Sequence, residues 1–198
     1  MTRKPLQTRI LTGADLAAAL PDVARLRIAV FRDWPYLYDG DLTYEETYLQ
    51  TYRDSPGAIV VGAYERERLV GASTGMPLTD HAGDFAAALA ALDVPLDQVF
   101  YCAESVLLSA YRGRGIGHHF FDARENHARQ LGFTKCCFCA VMREGDHPLR
   151  PAGYRPLDSF WRARGYAPVP GAIASFKWKD IGHAAETAKP LQFWMRDL

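Results

Sequence analysis

The chain has 198 residues, and its 23 basic and 23 acidic side chains cancel. Hydrophobic residues make up 48% and aromatic residues 12%, which excludes a disordered chain, because disorder needs low hydrophobicity or high net charge. The neutral balance argues against a general nucleic-acid binder, and no apolar run approaches the ~18 residues of a membrane helix. One domain over residues 1–198 is expected. Met1 to Ile10 carries charges with no apolar core behind them, so no signal peptide is expected. Cys136, Cys137 and Cys139 crowd into one apolar run. Strand neighbours point to opposite faces, and no second ligand pair lies at finger spacing, so no metal is expected. All four cysteines read as reduced thiols of a cytoplasmic protein.

Thr8–Leu11 is a strand candidate, followed by a helical pattern from Asp15 to Leu20. Pro21 suits the start of a new helix, in which Val23, Leu26, Val30 and Phe31 recur at helical spacing. Trp34-Pro35 ends it. Thr43 and Glu46 form a capping-box pattern for a second helix striped by Tyr44, Tyr48, Leu49 and Tyr52. Ala58–Tyr64 and Leu69–Met76 read as a hairpin around the charged turn from Glu65 to Arg68. Asp84 caps a short helix with Phe85, Leu89 and Leu92 inward, part of a helical insertion at about residues 80–98.

Val99–Leu108 reads as one apolar strand whose only carboxylate is Glu104. A glycine-rich turn leads into a helix with Ile116, Phe120, Phe121, Ala128 and Leu131 on one side, stopping at Gly132. Lys135–Met142 is the next strand, and a loop spans Arg143–Arg155. Pro156 opens a short helix with Leu157, Phe160 and Trp161 inward. Strands at about Ser175–Lys179 and Leu191–Arg196 close the chain. The order defines a mixed α/β fold of the α+β kind.

The turn Arg112-Gly113-Arg114-Gly115-Ile116-Gly117-His118 carries the chemistry. Glycines allow positive φ and close backbone approach. The unpaired N–H groups and dipole of a helix start form an anion site suited to pyrophosphate, and Arg112 and Arg114 add charge. Two other readings are weighed: glycines for packing only, and a dinucleotide fingerprint. The fingerprint needs a third glycine where His118 stands.

Arg112-x-x-Gly115-x-Gly117 also resembles the R/Q-x-x-G-x-G/A signature of the GCN5-related N-acetyltransferase (GNAT) superfamily. Phe160-Trp161-Arg162-Ala163-Arg164-Gly165-Tyr166 looks like its F-Y-x-x-x-G-F helix. The order of the other elements fits that family too, so the resemblance covers nearly the whole chain. It implies a mostly antiparallel mixed sheet splayed at two parallel central strands, with helices on both faces. It implies direct acetyl transfer from acetyl-CoA, without metal, to an amine of a small molecule or peptide. Backbone groups at Ser105, Val106 and Leu107 would hold the pantetheine arm. The pyrophosphate would lie on Arg112, Gly113, Arg114, Gly115, Ile116, Gly117 and His118.

Glu104 is the candidate base, directly or through water. The family's acid is a tyrosine at the position of Trp161, whose indole cannot supply a proton at neutral pH. Either another group is the acid, with Tyr154 and Cys102 as candidates, or solvent protonates the thiolate, and the departure leaves room for a non-catalytic acyl-CoA-binding module. Tyr36, Tyr38, Glu45 and Trp161 are expected to line the acceptor pocket, where aromatic faces and carboxylates suit a cationic amine. The insertion would cover this pocket or join a homodimer; nucleic acid and membrane are not expected partners.

Overall fold

The computed structural model describes residues 5–198 apart from 82–84, 86, 87 and 91–93. Its elements run β1 (Gln7–Leu11), α1 (Gly13–Phe31), α2 (Leu42–Asp54), β2 (Ile59–Glu65), β3 (Arg68–Pro77), β4 (Val99–Tyr101), β5 (Ser105–Leu107), α3 (Ile116–Gln130), β6 (Lys135–Val141), α4 (Asp158–Ala163), β7 (Ala167–Lys179) and β8 (Glu186–Asp197). One sheet has the order β1-β2-β3-β4-β6-β8-β7, with β5 beside β3. Among the described residues, β4 and β6 pair in parallel and the other pairs are antiparallel. The expected mixed sheet with helices on both faces is therefore present.

Strand alternation sorts the core. Val60, Ala72 and Val106 point to one face and pack against Leu20, Val23 and Ala24 of α1 and Leu49 and Tyr52 of α2. Ile59, Val61, Phe100 and Cys102 point to the other, joined by Val70 at a β-bulge, and pack with Ile116, Phe120, Phe121 and Ala128 of α3. On β6, Cys136 and Phe138 share the α3 face, while Cys137 and Cys139 pack with Tyr101, Phe85 and Phe193. All four cysteines are free and buried.

Several expectations are corrected. Helix α1 continues through Pro21 rather than restarting there. The lost N–H costs one bond, but a buried stripe from Leu16 through Leu20 and Val23 to Phe31 spans the site and holds both halves in line. The cap of α2 is Asp41, whose carboxylate accepts from the Tyr44 N–H at 2.8 Å, not Thr43. Tyr44, Leu131 and Leu157 are exposed rather than inward. Strands β7 and β8 begin well before Ser175 and Leu191. Phe85 and Leu89 are buried as expected, whereas residues 84 and 92 lie outside the described residues.

The single strand expected over Val99–Leu108 is two strands. The register Met76↔Tyr101 gives way to Ser73↔Ser105, one residue out of step. This is a bulge, where an extra residue kinks the strand and re-aims the residues beyond it. The last bond from this segment to β6 is Cys102 N–H to Cys137 O at 2.7 Å, and β5 pairs only with β3. The sheet therefore parts between β5 and β6.

Gly75 lets β3 lie tight on this region. A Cβ there would sit 2.6 Å from Phe100 Cε1 and 3.1 Å from the Tyr101 carbonyl. Gly75→Ala should destabilise the fold by about 1–3 kcal/mol through overpacking. A fall in denaturant midpoint at unchanged slope checks this.

Candidate functional site

The turn before α3 is built by two left-handed residues. Gly113 has φ 72° and Gly115, the N-cap, has φ 81° with no side-chain cap. The His118 and His119 N–H groups return to the Gly115 carbonyl. Ile116 and Gly117, preceding them, open the helix with N–H groups that have no intrahelical acceptor. Arg112 Nε donates to the Leu107 carbonyl at 3.1 Å, fixing the turn against β5. Arg114 lies over the Tyr111 ring at 5.7 Å. His118 meets Arg164 at 3.3 Å and the Phe160 ring at 4.9 Å. Helix dipole, free donors and basic side chains converge here, an arrangement that receives an anion.

The backbone of β5 has a defined polarity. Leu108 N–H donates to Val70 O, and Thr74 N–H donates to Glu104 O. Antiparallel alternation then commits the backbone of 104, 106 and 108 to β3, and turns that of Ser105 and Leu107 toward the parting. Of the three backbone positions expected to act, Ser105 and Leu107 can, while Val106 is committed to the ladder.

Glu104 sits at the bulge with its carboxyl on the α1/α2 face. Tyr48 Oη donates to it at 2.6 Å and Tyr52 Oη at 3.1 Å, and Thr74 Oγ1 also donates. The Arg27 guanidinium pairs with both Glu104 and Glu45. Burial pushes the Glu104 carboxyl up, but the Arg27 charge and the hydroxyl donors outweigh it and hold it below the usual carboxylate range. Arg27, which lies between the apolar positions of α1, is buried. Two carboxyl groups thus share one guanidinium.

The expected acceptor residues do not form one group. Tyr36 and Tyr38 pack on the α1/α2 core, and the fully buried Glu45 is there with Arg27. Burial is the main cause raising the Tyr36 hydroxyl, helped by Cys139 and Glu104. Trp161 lies on the opposite face, 5.0 Å from the Phe138 ring and 5.2 Å from that of Trp194. Tyr154 stands edge-on to Trp34 at 6.0 Å, beside His147 at 5.0 Å from the same indole. Arg143 straps this loop down through Asp180 and the Pro35 and Tyr36 carbonyls. Asp39 pairs with Lys179 and Arg32. Among the described residues no cluster of His, Cys, Asp and Glu suits a metal, and no helix is long and apolar enough to cross a membrane.

An open sheet parted beside a helix-capping glycine turn defines a fold built to hold an extended anionic cofactor at its centre. The chain matches the model of the acetyltransferase (GNAT) family over residues 24–151 and belongs to that family. It is an acetyltransferase, as the resemblance implied. No curated protein matches it significantly in sequence. Solved structures share the fold. A GCN5-related N-acetyltransferase from Kribbella flavida is 19% identical, with 98% of each chain covered and TM-score 0.59. A ribosomal-protein-alanine N-acetyltransferase from Brucella melitensis is 16% identical, covering 97% of this chain and 99% of its own, TM-score 0.61. The yncA protein of Salmonella typhimurium, solved with its cofactor acetyl-CoA, is 13% identical, covering 98% and 95%, TM-score 0.59.

The linkage at Glu104 has a definite sign. A carboxyl with a depressed folded pKa stabilises the fold above its unfolded pKa, about 4.3 for Glu, and that contribution is lost as pH falls through the lower folded value. Glu104→Gln should therefore lower stability at neutral pH, and the gap to wild type should close below about pH 4. Chemical denaturation across that range measures it.

Proposed function

We propose that the chain transfers an acetyl group from acetyl-CoA directly to an amine of a small molecule or peptide. The observation that carries this is the parting of β5 from β6 beside the turn from Arg112 to His118. In this reading the pyrophosphate lies on the N–H groups of Ile116 and Gly117, with Arg112, Arg114 and His118 beside it. The pantetheine arm and acetyl carbonyl lie along Ser105 and Leu107. Family membership favours an enzyme over a non-catalytic acyl-CoA-binding module. The four free, buried thiols support a reducing, cytoplasmic setting.

On the acceptor side, one carboxyl group more than the Arg27 guanidinium can neutralise favours an ammonium over an anion. Glu104 is the carboxylate that draws this ammonium and orients it through water. Three hydroxyl donors and the Arg27 charge already engage its oxygens, so it is a weak base. Tyr36 and Tyr38 line the approach. The Trp34, His147 and Tyr154 rings form its outer wall, and Tyr154 serves packing rather than proton transfer. Trp161 backs the donor side.

Free CoA thiol released from acetyl-CoA over a panel of cationic, neutral and anionic amines tests the reading. Release should depend on the amine and favour cations; CoA binding without turnover across the panel would support the module instead. Gly117→Glu tests the turn. A Cβ there meets only Phe160 Cζ, at 3.5 Å, so the fold should survive. The wild type at a hundred times its dissociation constant should gain about 2.7 kcal/mol of stability from CoA. The variant should gain almost none, and equal protection would refute the site.

A further inference from the structure

Arg124 is almost completely buried, yet it makes no ion pair with any described carboxylate. A buried charge without a counter-ion is costly unless hydrogen bonds hold it. Here Nε donates to Phe120 O at 3.2 Å, Nη1 to Thr74 O at 3.1 Å and Glu104 O at 2.9 Å, and Nη2 to Ser105 Oγ at 2.8 Å. Its guanidinium also lies 4.8 Å from the Phe121 ring centroid.

Ser105 is exposed, its backbone toward the parting and its side chain on the α3 side. Its oxygen accepts from Arg124, so its own hydrogen is free to donate, and it donates to no described group. Opposite it in register, Ser73 is fully buried and its hydroxyl has no partner. The other titratable groups nearby do not compete. The Cys102 thiol is held below its usual range chiefly by the neighbouring Cys136 thiol, with the Arg124 charge a smaller cause. Glu125 is held by Arg164, Arg196 and Tyr166. The Glu104 carboxyl lies on the opposite face with Arg27.

We propose that the Ser105 hydroxyl, polarised by the Arg124 charge, is the hydrogen-bond donor that receives the departing CoA sulfur. Arg124 is the positioning residue behind it. This rests on the acetyl-CoA reading above and deepens it. The amine lone pair forms the C–N bond, the ammonium proton leaves to water, and the C–S bond breaks with its electron pair on sulfur. Ser105 holds that thiolate without surrendering its proton, and solvent protonates it on release. No acid is then needed at Trp161.

The test reads the thiolate absorbance of CoA bound to the full chain across pH, which needs no acceptor. The bound thiol should ionise about tenfold more readily than free CoA at a given pH. Ser105→Ala should return it to the free value and weaken binding of the CoA thiolate about tenfold, while Ser105→Thr should keep the shift. In the Ser105→Ala background, Arg124→Lys should add almost nothing, the signature of two groups acting as one. Should Arg124→Lys not fold, the Ser105 pair decides alone. A bound thiol that titrates like free CoA, or an unchanged shift in Ser105→Ala, overturns the proposal. A chain that does not bind CoA refutes the donor assignment and this proposal with it.

Discussion

The structure turns on the grip around residue 104. Its side chain is held from the α1/α2 face by Arg27, Tyr48, Tyr52 and Thr74. Its carbonyl is held by the Thr74 N–H and, from α3, by Arg124. A β-bulge leaves polar backbone groups off the ladder, and an unpaired buried carbonyl is costly. Here two buried arginines on opposite faces fix the first residue beyond the bulge in one conformation.

The bulge also divides labour between the faces. Beyond it, even-numbered backbone groups of β5 stay with β3 and odd-numbered ones turn outward. Glu104 and Val106 point toward α1 and α2, while Ser105 and Leu107 point toward α3. A one-residue slip would exchange the two sets. It would bury Ser105 among the tyrosines and carry Glu104 toward an arginine-lined helix. Register here is chemistry as well as packing.

Much of this is legible in the sequence. The turn is readable because positive φ at Gly113 and Gly115 and an uncapped helix start leave a local signature of alternating glycines. The hairpin and α3 follow from periodicity. The illegible features depend on distant partners. Nothing near Arg27 or Arg124 marks either as buried: a surface arginine occupies the same helical spacing, and only packing against β3 and β5 decides the matter. The bulge is hidden because Cys102-Ala103-Glu104 continues an apolar run. Pro21 misleads because local propensity is weaker than a continuous buried stripe. Trp161 groups with Tyr36 by residue type, and only the topology puts them on opposite faces.

The two sides of the parting differ in charge, and the proposed reaction uses the difference. The α1/α2 side carries two carboxyl groups against one guanidinium. The α3 side carries a guanidinium with no described carboxylate partner, and helix N–H groups at the turn. In the proposed reaction an ammonium is drawn to the first and a phosphate-bearing thioester to the second. As the amine attacks, positive charge grows at nitrogen and negative charge at the carbonyl oxygen and then at sulfur. Fixed groups aimed at developing charge need no reorganisation. The sheet keeps the two fields apart: Arg124 reaches the Glu104 carbonyl from one face, while the Glu104 carboxyl is held by Arg27 on the other. A neutral chain can therefore hold opposite potentials within one strand's width, and the total of 23 acidic and 23 basic residues gives no sign of it.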